Sequence, residues 1–393
     1  MYRQLTGGAL PSLVRSKAEI ILLEPEAVKT GVGSVREAMA AKTFDIAILG
    51  GGVMGLTSAC ALARHGHRVH IFDPASAPSP KSASHIAGGM LAPWAEIEHM
   101  PQGWIEAGLA GISLWKEFSR THATGFAQNG SLLIAHNEDR YILERFKSHL
   151  PAEKQAAHKP QDLEPALPEK FASGVYLEEE AHLNPALTLA ALCNELTASG
   201  ASFHLKATQP ETIQGDYDYI IDARGIAGSD NEPALRAVKG ETLVVRNPEF
   251  TLSRPLRLMH PRYPLYIVPR GDGVFMIGAT QVESEGAHVT LRSGLELMSA
   301  LYSLHPSFGE AEILEINAGL RPAYPDNLPR ITIKGNVIRA NGLFRHGFLL
   351  SPVMAECIAD YVAGRAHKYM ELFKGKSNEN NNQRKTAKLH RAA

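Results

Sequence analysis

The sequence predicts a mixed fold, in which a Rossmann-like dinucleotide-binding domain (α/β) carries an inserted antiparallel-sheet domain (α+β). Three observations predict it. A glycine-rich turn at 50–55 lies between a short apolar run and a helix pattern. A second apolar run ends on Asp73, about 20 residues beyond the turn, where dinucleotide-binding units carry an acid. A later third of the chain consists of short β-rich runs separated by turn residues.

Composition limits the class of protein. The chain has 393 residues, of which 44% are hydrophobic and 21% charged, and a formal net charge of −1. This length favours two domains, and the near-neutral charge argues against a nucleic-acid partner. No apolar run approaches the roughly 20 residues that span a bilayer, so no membrane partner is expected.

The cysteine pattern bears on metals and on the compartment. Cys60, Cys193 and Cys357 are far apart and form no CxxC pair. This spacing favours neither a disulfide framework nor a zinc site, and the 17 histidines are scattered along the chain. No hydrophobic core of a signal peptide is evident near the first residue. We therefore expect no metal and a cytoplasmic location.

The first β-α-β unit is the clearest local prediction. Phe44–Leu49 reads FDIAIL, and such continuous apolarity is typical of a strand buried on both faces. A helix is predicted over Thr57–His65, and Gly66 is placed to end it. The next strand, His67–Phe72, runs directly into Asp73. Strand, helix and strand together have the length of a βαβ unit, about 30 residues.

The elements that follow alternate in the same way. A helix is predicted over Trp104–Arg120, and a second over 186–199 with Gly200 as its stop signal. The apolar run Tyr217–Asp222 is predicted to be another strand of the nucleotide-binding sheet.

The β-rich third predicts an antiparallel sheet. Glu241–Arg246, Leu265–Pro269 and Val274–Thr280 are short strand-like runs. The last two are joined by RGDG at 270–273, which is typical of a hairpin turn.

The chain then returns to the first domain, with a strand at Val337–Asn341 and a closing helix at Ser351–Ala363. We predict discontinuous domains. The nucleotide-binding domain comprises 43–130, 180–235 and 325–370, the substrate domain comprises 131–179 and 236–324, a poorly ordered N-terminal extension comprises 1–42, and a disordered tail comprises 375–393.

The glycine turn has the spacing of a dinucleotide site. Gly50 permits the tight turn, Gly52 lets the backbone approach a pyrophosphate, and Gly55 lets helix and strand pack closely. The helix N-terminus offers free N–H groups to phosphates, and Asp73 can accept hydrogen bonds from ribose hydroxyls. The alternative is a structural turn that binds nothing. The turn by itself does not separate FAD from NAD.

Further stretches, spread over most of residues 43–365, narrow the choice. They read AILGGGVMGLTSACALARHGHRVHIFD, SHIAGGMLAP, LYIVPRGDGVFMIGAT, and AGLRPAYPDNLPRI with NGLFRHGFLLSP. Together they resemble the D-amino-acid oxidase superfamily of flavoproteins and, within it, the glycine oxidases of thiamine biosynthesis. The resemblance implies an FAD-binding domain and a substrate domain built on a curved antiparallel sheet.

The resemblance also assigns cofactor contacts by motif. The residues expected to touch FAD are Gly50, Gly52, Val53, Met54, Gly55, Asp73, Ala83 and Ser84 on the ADP half, Thr208 at the adenine, Gly88, Gly89 and Met90 beside the flavin ring, and Leu343, Phe344, Arg345, His346, Gly347, Phe348 and Leu349 beneath it. Monomeric sarcosine oxidases tether FAD through a cysteine shortly after the arginine region. RPAYPDN at 321–327 has none, so non-covalent FAD is expected. Arg224 stands where many relatives carry a small residue, which leaves the local contact open.

The substrate assignments rest on the same resemblance. Burying the carboxylate of an amino acid requires a matched cation, and arginine offers a planar, bidentate fork. Arg321 resembles the carboxylate-binding arginine of the family, Tyr266 a tyrosine that assists it, and Arg345 a residue near substrate and flavin. These three are the expected catalytic residues, and Gln281 is expected to line the pocket. The alternatives are a surface ion pair for Arg321, a core aromatic for Tyr266 and a helix-start salt bridge for Arg345.

The function implied is FAD-dependent oxidation of glycine or another small amino acid to the imine, with reduction of dioxygen to hydrogen peroxide and supply of thiamine thiazole biosynthesis. Alternatives are a sarcosine or D-amino-acid oxidase, a dehydrogenase that passes electrons to another acceptor, a flavin-stabilised binding protein without turnover, and an FAD domain that modifies tRNA. Family members are often homo-oligomers, and the sequence leaves the oligomeric state open.

Overall fold

The computed structural model describes residues 42–262 and 264–374. The predicted tail at 375–393 and the predicted extension, apart from Lys42, lie outside the described residues. From Lys42 on, the described residues belong to one compact unit.

The strands alternate with helices at first and follow one another closely later on. In chain order they are β1 (Asp45–Leu49), β2 (Arg68–Asp73), β3 (Met90–Leu91), β4 (Ser131–Ala135), β5 (Ala157–His158), β6 (Gly174–Leu177), β7 (Ala181–His182), β8 (Ser202–Leu205), β9 (Tyr219–Asp222), β10 (Arg236–Arg246), β11 (Leu256–Met259), β12 (Leu265–Gly271), β13 (Val274–Gly278), β14 (Val282–Glu283), β15 (Glu312–Ala323), β16 (Arg330–Lys334) and β17 (Val337–Asn341).

The helices connect these strands. The α-helices are α1 (Val53–Arg64), α2 (Gln102–Phe118), α3 (Arg140–Lys147), α4 (Pro160–Leu163), α5 (Pro185–Ala198), α6 (Pro210–Ile213), α7 (Leu291–Leu304), α8 (Gly347–Val362) and α9 (Met370–Phe373). Short 3-10 helices lie at Trp94–Glu96, Asn137–Asp139, Ala152–Lys154, Gly225–Gly228 and Pro306–Glu310.

The first sheet has six strands in the order β16-β17-β9-β1-β2-β8. All neighbours are parallel except β16, which runs antiparallel to β17. The central strand β1 is buried on both faces, since Ile46, Ala47, Ile48 and Leu49 are each at most 1% exposed. This burial explains why its sequence is continuously apolar rather than alternating.

The second sheet has nine strands and is mostly antiparallel. Its order is β14-β10-β13-β12-β11-β4-β6-β5, and β15 pairs with β10. In that long pairing Gly240 lies opposite Gly319, and Val238 lies opposite Arg321. Apolar side chains of α7, among them Leu297 and Leu301, join the core of this sheet.

Glycines allow close approaches between helices and the elements on which they pack. A Cβ at Gly55 would lie 1.9 Å from the carbonyl oxygen of Gly50, so α1 can pack onto the β1 turn only with glycine there. Similarly, a Cβ at Gly111 would lie 2.0 Å from the carbonyl oxygen of Leu349, where α2 packs on α8.

The predicted mixed fold is confirmed. Strand Val337–Asn341 has the predicted bounds, whereas the closing helix begins at Gly347 rather than Ser351. The long strand β15 was not predicted, because its exposed and half-buried residues give no clean alternation. The division into two domains stays a proposal that rests on the separate sheets.

Candidate active site and cofactor cavity

One large cavity, of about 730 Å³, is lined by residues from both sheets. This volume is in the range of small-molecule and cofactor sites. The ionisable side chains on its wall are mostly basic: Lys81, Arg224, Arg257, Arg262, Arg321 and Arg345, against Asp73, Glu96 and Glu296. Such a wall favours an anionic ligand.

The turn between β1 and α1 forms one end of the cavity. Gly50 has a φ of +105°, and a Cβ there would lie 2.5 Å from the carbonyl oxygen of Ala223. Gly52 is the N-cap residue of α1 without a side-chain cap, and the N–H of Val53 donates to Ser84 Oγ at 3.0 Å. The remaining N–H groups of the first turn of α1 have no partner within the helix, which suits a phosphate ligand.

Asp73 fixes this turn at the end of β2. Its carboxylate accepts hydrogen bonds from the N–H of Gly51 at 2.7 Å and from the N–H of Ala75 at 2.9 Å. A carboxylate has about four acceptor positions, so lone pairs remain for a ligand hydroxyl.

The segment 84–90 lines the cavity and is held by Arg270. The guanidinium of Arg270 donates to the carbonyl oxygens of Gly88 at 2.8 Å and Leu183 at 3.0 Å. Burial lowers the pKa of Arg270 to about 10. Gly88 and Gly278 both face Tyr266, since a Cβ at either would lie within 3 Å of its ring or hydroxyl. The ring of Tyr266 therefore fits only because Gly88 and Gly278 lack side chains.

A second helix N-terminus faces the cavity at the start of α8. Residues from Leu343 to Leu349 line the wall there. Phe344 adopts a φ of +48°, a left-handed conformation that is rare for a bulky side chain and is enriched at functional sites. The adjacent His346 is buried, and burial lowers its pKa to about 4, so its imidazole is neutral at pH 7.

Arg321 is a buried cation on the cavity wall. Its guanidinium donates to the carbonyl oxygen of Thr280 at 3.0 Å, and Tyr266 lies within hydrogen-bonding reach. Burial lowers the pKa of Arg321 and raises the pKa of the Tyr266 hydroxyl. Among the described residues, no acidic side chain forms an ion pair with Arg321. A buried, unpaired guanidinium is costly unless a ligand anion completes its environment.

Arg345, by contrast, has an acidic partner. Its Nη2 lies 2.5 Å from Glu96 Oε2, and Arg257 Nη1 lies 3.5 Å from Glu96 Oε1. Burial by itself would raise the pKa of Glu96, but the charges of Arg345 and Arg257 outweigh it and hold that pKa below its usual value. Arg345 thus combines the predicted place in the cavity with the alternative of a salt bridge near the start of α8.

Glu180 supports the segment that carries Glu96. Its carboxylate accepts a hydrogen bond from the N–H of Ala95 at 2.7 Å and another from the Ser131 hydroxyl. Glu180 is fully buried, and burial raises its pKa to about 7.

The cavity brings most predicted site residues together. Those on its wall are Gly50, Gly52, Val53, Met54, Asp73, Ala83, Ser84, Gly88, Gly89, Met90, Tyr266, Gln281, Arg321, Leu343, Phe344, Arg345, His346, Gly347, Phe348 and Leu349. Gly55 is not on the wall and acts through helix packing. Thr208 is also off the wall, and its expected adenine contact stays a prediction.

Arg224 lines the cavity with an acid of its own. Its guanidinium binds Asp222 through a fork of two hydrogen bonds, at 2.8 and 2.9 Å. The charge of this unexpected arginine is therefore neutralised locally by Asp222.

Glu96, Glu180 and Gly240 were not predicted from the sequence. Glu96 and Glu180 belong to segments without a chemical motif, and only the fold brings them to the arginines. A Cβ at Gly240 would meet the guanidinium of Arg321, but that requirement depends on the pairing of β10 with β15. In the sequence, the glycine of KGE at 239–241 interrupts a strand pattern, and a glycine at such a position often marks the close approach of another group.

The described part of the chain lacks two other features. Across residues 42–262 and 264–374, no helix combines the length and apolarity that a bilayer crossing requires. Over the same residues, no cluster of three His, Cys, Asp or Glu side chains is arranged to hold a metal ion.

A dinucleotide turn and a buried arginine without an acidic partner among the described residues both line this cavity, an arrangement typical of a cofactor-dependent oxidoreductase. Residues 45–361 match the model of the DAO family, described as FAD-dependent oxidoreductase. The chain belongs to this family.

Individual relatives agree with the family. The chain is 42% identical, over 316 residues, to a putative thiamine biosynthesis oxidoreductase, ThiO, of Rhizobium etli, and the match covers 80% of this chain and 95% of that protein. It is 27% identical to a glycine oxidase of Bacillus licheniformis, with 86% and 98% covered. The crystal structure of glycine oxidase from Geobacillus kaustophilus superposes with a TM-score of 0.73 at 23% identity, over 85% of this chain and 99% of that one. This last likeness concerns the fold.

Proposed function

We propose that the protein oxidises glycine or another small amino acid to the imine, with bound FAD as the redox group and dioxygen as the final acceptor, which yields hydrogen peroxide. The observation that carries this proposal is the buried guanidinium of Arg321, which lacks an acidic partner among the described residues. A substrate carboxylate would supply the missing charge.

The cavity fits FAD at several independent points. Gly52 caps α1 without a side chain, Asp73 keeps free acceptor positions, and the wall carries excess positive charge for a diphosphate. When bound, FAD supplies a two-electron acceptor for the oxidation of a C–N bond. We propose that it is held without a covalent bond, because Cys60, Cys193 and Cys357 are buried and none of them lines the cavity.

The side chains of this chain would bind and orient the substrate. Arg321 would take both carboxylate oxygens in a fork, and Tyr266, which stays protonated because its pKa is raised, would donate a further hydrogen bond. Arg345 and Arg257 share the single carboxylate of Glu96, so this group of three side chains keeps a net positive charge on the cavity wall. This charge disfavours the ammonium form of the substrate amine and so promotes loss of its proton on binding.

No acid–base side chain is required in this scheme. Among the described residues of the cavity wall, His346 is the one histidine, and its lowered pKa keeps the imidazole neutral. The N–H groups at the start of α8 can stabilise negative charge that develops beside Gly347.

The metabolic role and the location belong to the proposal as well. The relative of Rhizobium etli carries a thiamine biosynthesis name, which supports supply of the thiazole precursor. The cysteines are free and buried, which suits a reducing compartment, and we propose the cytoplasm. Formation of a homo-oligomer stays a prediction.

The decisive experiment is anaerobic bleaching of the visible flavin absorbance with glycine, sarcosine and D-alanine in turn. We expect bleaching by one or more of them, loss of bleaching in Arg321→Ala, and wild-type bleaching in Arg246→Ala, whose exposed arginine pairs with Glu312 outside the cavity. Yellow protein that none of the three bleaches would contradict the substrate assignment. Bleached enzyme that dioxygen fails to reoxidise would point to a dehydrogenase.

A further inference from the structure

Behind the arginine of the cavity, β10 carries a buried ion pair that the proposed function does not use. Glu241 is fully buried and Lys239 is 3% exposed. The ammonium of Lys239 lies 3.1 Å from Glu241 Oε1 and also donates to the carbonyl oxygen of His288 at 3.1 Å. A buried pair of this kind is weak evidence for stability, because desolvation offsets much of the attraction. Its other contacts therefore decide what it does.

One set of contacts leads to Arg321. The hydroxyl of Thr280 donates to Glu241 Oε2 at 2.8 Å and accepts from the N–H of Glu241 at 2.9 Å. The N–H of Thr280 donates to the carbonyl oxygen of Glu241 at 3.2 Å. Three hydrogen bonds with Glu241 thus fix Thr280. The carbonyl oxygen of Thr280 in turn accepts the hydrogen bond from Arg321 Nη1.

Another set of contacts leads to the far end of the same segment. Glu241 Oε1 accepts from the N–H of Thr290 at 2.7 Å and from its hydroxyl at 3.1 Å, at the N-cap of α7. The segment 280–290 is therefore tied to Glu241 at both ends. Between those ends, Gln281, Val282 and Ala287 contribute to the cavity wall.

We infer that Glu241 is a positioning residue, which holds the Thr280 carbonyl against Arg321 and fixes the adjoining wall, and so sets the orientation of the carboxylate-binding guanidinium. This inference rests on the proposed function, in which Arg321 binds a substrate carboxylate. Glu241 itself does not line the cavity and touches no substrate.

Glutamine replaces Glu241 only in part in this role. The carboxylate faces the Lys239 ammonium and the Thr290 N–H, which can only donate, while a glutamine side chain offers a single acceptor oxygen and presents an NH2 group elsewhere. The Thr280 hydroxyl must then turn to accept, and its contact with residue 241 weakens. Thr280→Val removes the same contact directly and leaves the Glu241–Lys239 pair in place.

The test measures ligand binding by purified, FAD-loaded enzyme, followed through the visible spectrum of the flavin and by calorimetry. The probes are acetate, which carries the carboxylate, and acetamide, its neutral counterpart. For Glu241→Gln and Thr280→Val we expect acetate binding about tenfold weaker than for wild type, with acetamide binding changed less than about twofold.

Glu164→Gln is the matched control. Glu164 is 3% exposed, pairs with Arg254 at 2.7 Å and does not line the cavity, so this variant is expected to lose stability but keep wild-type acetate affinity. Wild-type acetate affinity in both Glu241→Gln and Thr280→Val would overturn the inference, as would equal weakening of acetate and acetamide. If Glu241→Gln does not retain FAD, the Thr280→Val result decides. Wild-type enzyme that does not discriminate acetate from acetamide would instead refute the carboxylate site, and the inference with it.

Discussion

The guanidinium of Arg321 lies directly over Gly240, so close that a Cβ there would come within 2.0 Å of Arg321 Nη2. In the pairing of β10 with β15, Arg321 stands opposite Val238 and reaches diagonally across the neighbouring strand to Gly240. The guanidinium of Arg321 thus packs directly on the backbone of Gly240, and a methyl group at that position would displace it.

Gly240→Ala should therefore reduce substrate affinity more than stability. The methyl group would meet the far end of a flexible side chain, so Arg321 moves and the strands stay paired. We expect KM for the amino acid to rise about 100-fold, since a displacement of about 1 Å at a binding group can have that effect. Steady-state kinetics check this, with Gly215→Ala as the control because nothing lies within 4 Å of a Cβ there. An unchanged KM would show that Arg321 does not bind the substrate in this orientation.

Asp73→Ala should weaken cofactor retention. The carboxylate holds the glycine turn through Gly51 and is the expected partner of a ribose hydroxyl, and charge-assisted hydrogen bonds are the stronger kind. We expect the Kd for FAD to rise by at least about tenfold, measured by flavin fluorescence on serial dilution. Asp45→Ala, at the opposite end of β1 in an exposed pair with Arg68, should retain FAD as wild type does. Equal affinity for FAD in both variants would show that Asp73 does not bind the cofactor.

Glu96 and Arg345 should be energetically coupled. Glu96→Gln leaves Arg345 and Arg257 without their shared acid, and we expect the free energy of unfolding to fall by about 1–3 kcal/mol. The neighbouring Glu98→Gln, whose partner Arg145 is exposed and lies 3.6 Å away, should change the free energy of unfolding by less than about 0.5 kcal/mol. Denaturant unfolding of Glu96→Gln, Arg345→Met and the double variant measures the coupling. Strict additivity would mean that the pair contributes nothing.

Glu180 should make stability depend on pH. Its pKa is about 7 in the folded state, against an ordinary value of 4.5, because the carboxyl group is buried. The folded state binds this proton more tightly than the unfolded state, so the free energy of unfolding falls as pH rises from about 4.5 to about 7. The loss is at most about 1.4 kcal/mol per pH unit, or about 3 kcal/mol in all. Unfolding curves across this pH range should show the slope in wild type and lack it in Glu180→Gln, and an identical slope in both would contradict the assignment.

The local chemistry follows directly from the order of residues along the chain. Strand, glycine turn and helix at 44–65 are specified by residues adjacent in the chain, as is the acid at Asp73, and the mixed fold class follows from the order of such patterns. Arg321, Tyr266 and Arg345 were found through resemblance, because each sits in a recognisable motif.

The partners of these residues, by contrast, depend on the folded arrangement of distant segments. That Arg345 has an acid in Glu96 while Arg321 has none among the described residues depends on segments more than 200 residues apart. The bare surface at Gly240 and the contacts of Glu241 with Thr280 and Thr290 arise from strand pairing and packing. Burial, which sets the pKa of Glu180 and the charge environment of Arg321, is a property of the assembled core, and no local pattern of residues encodes it.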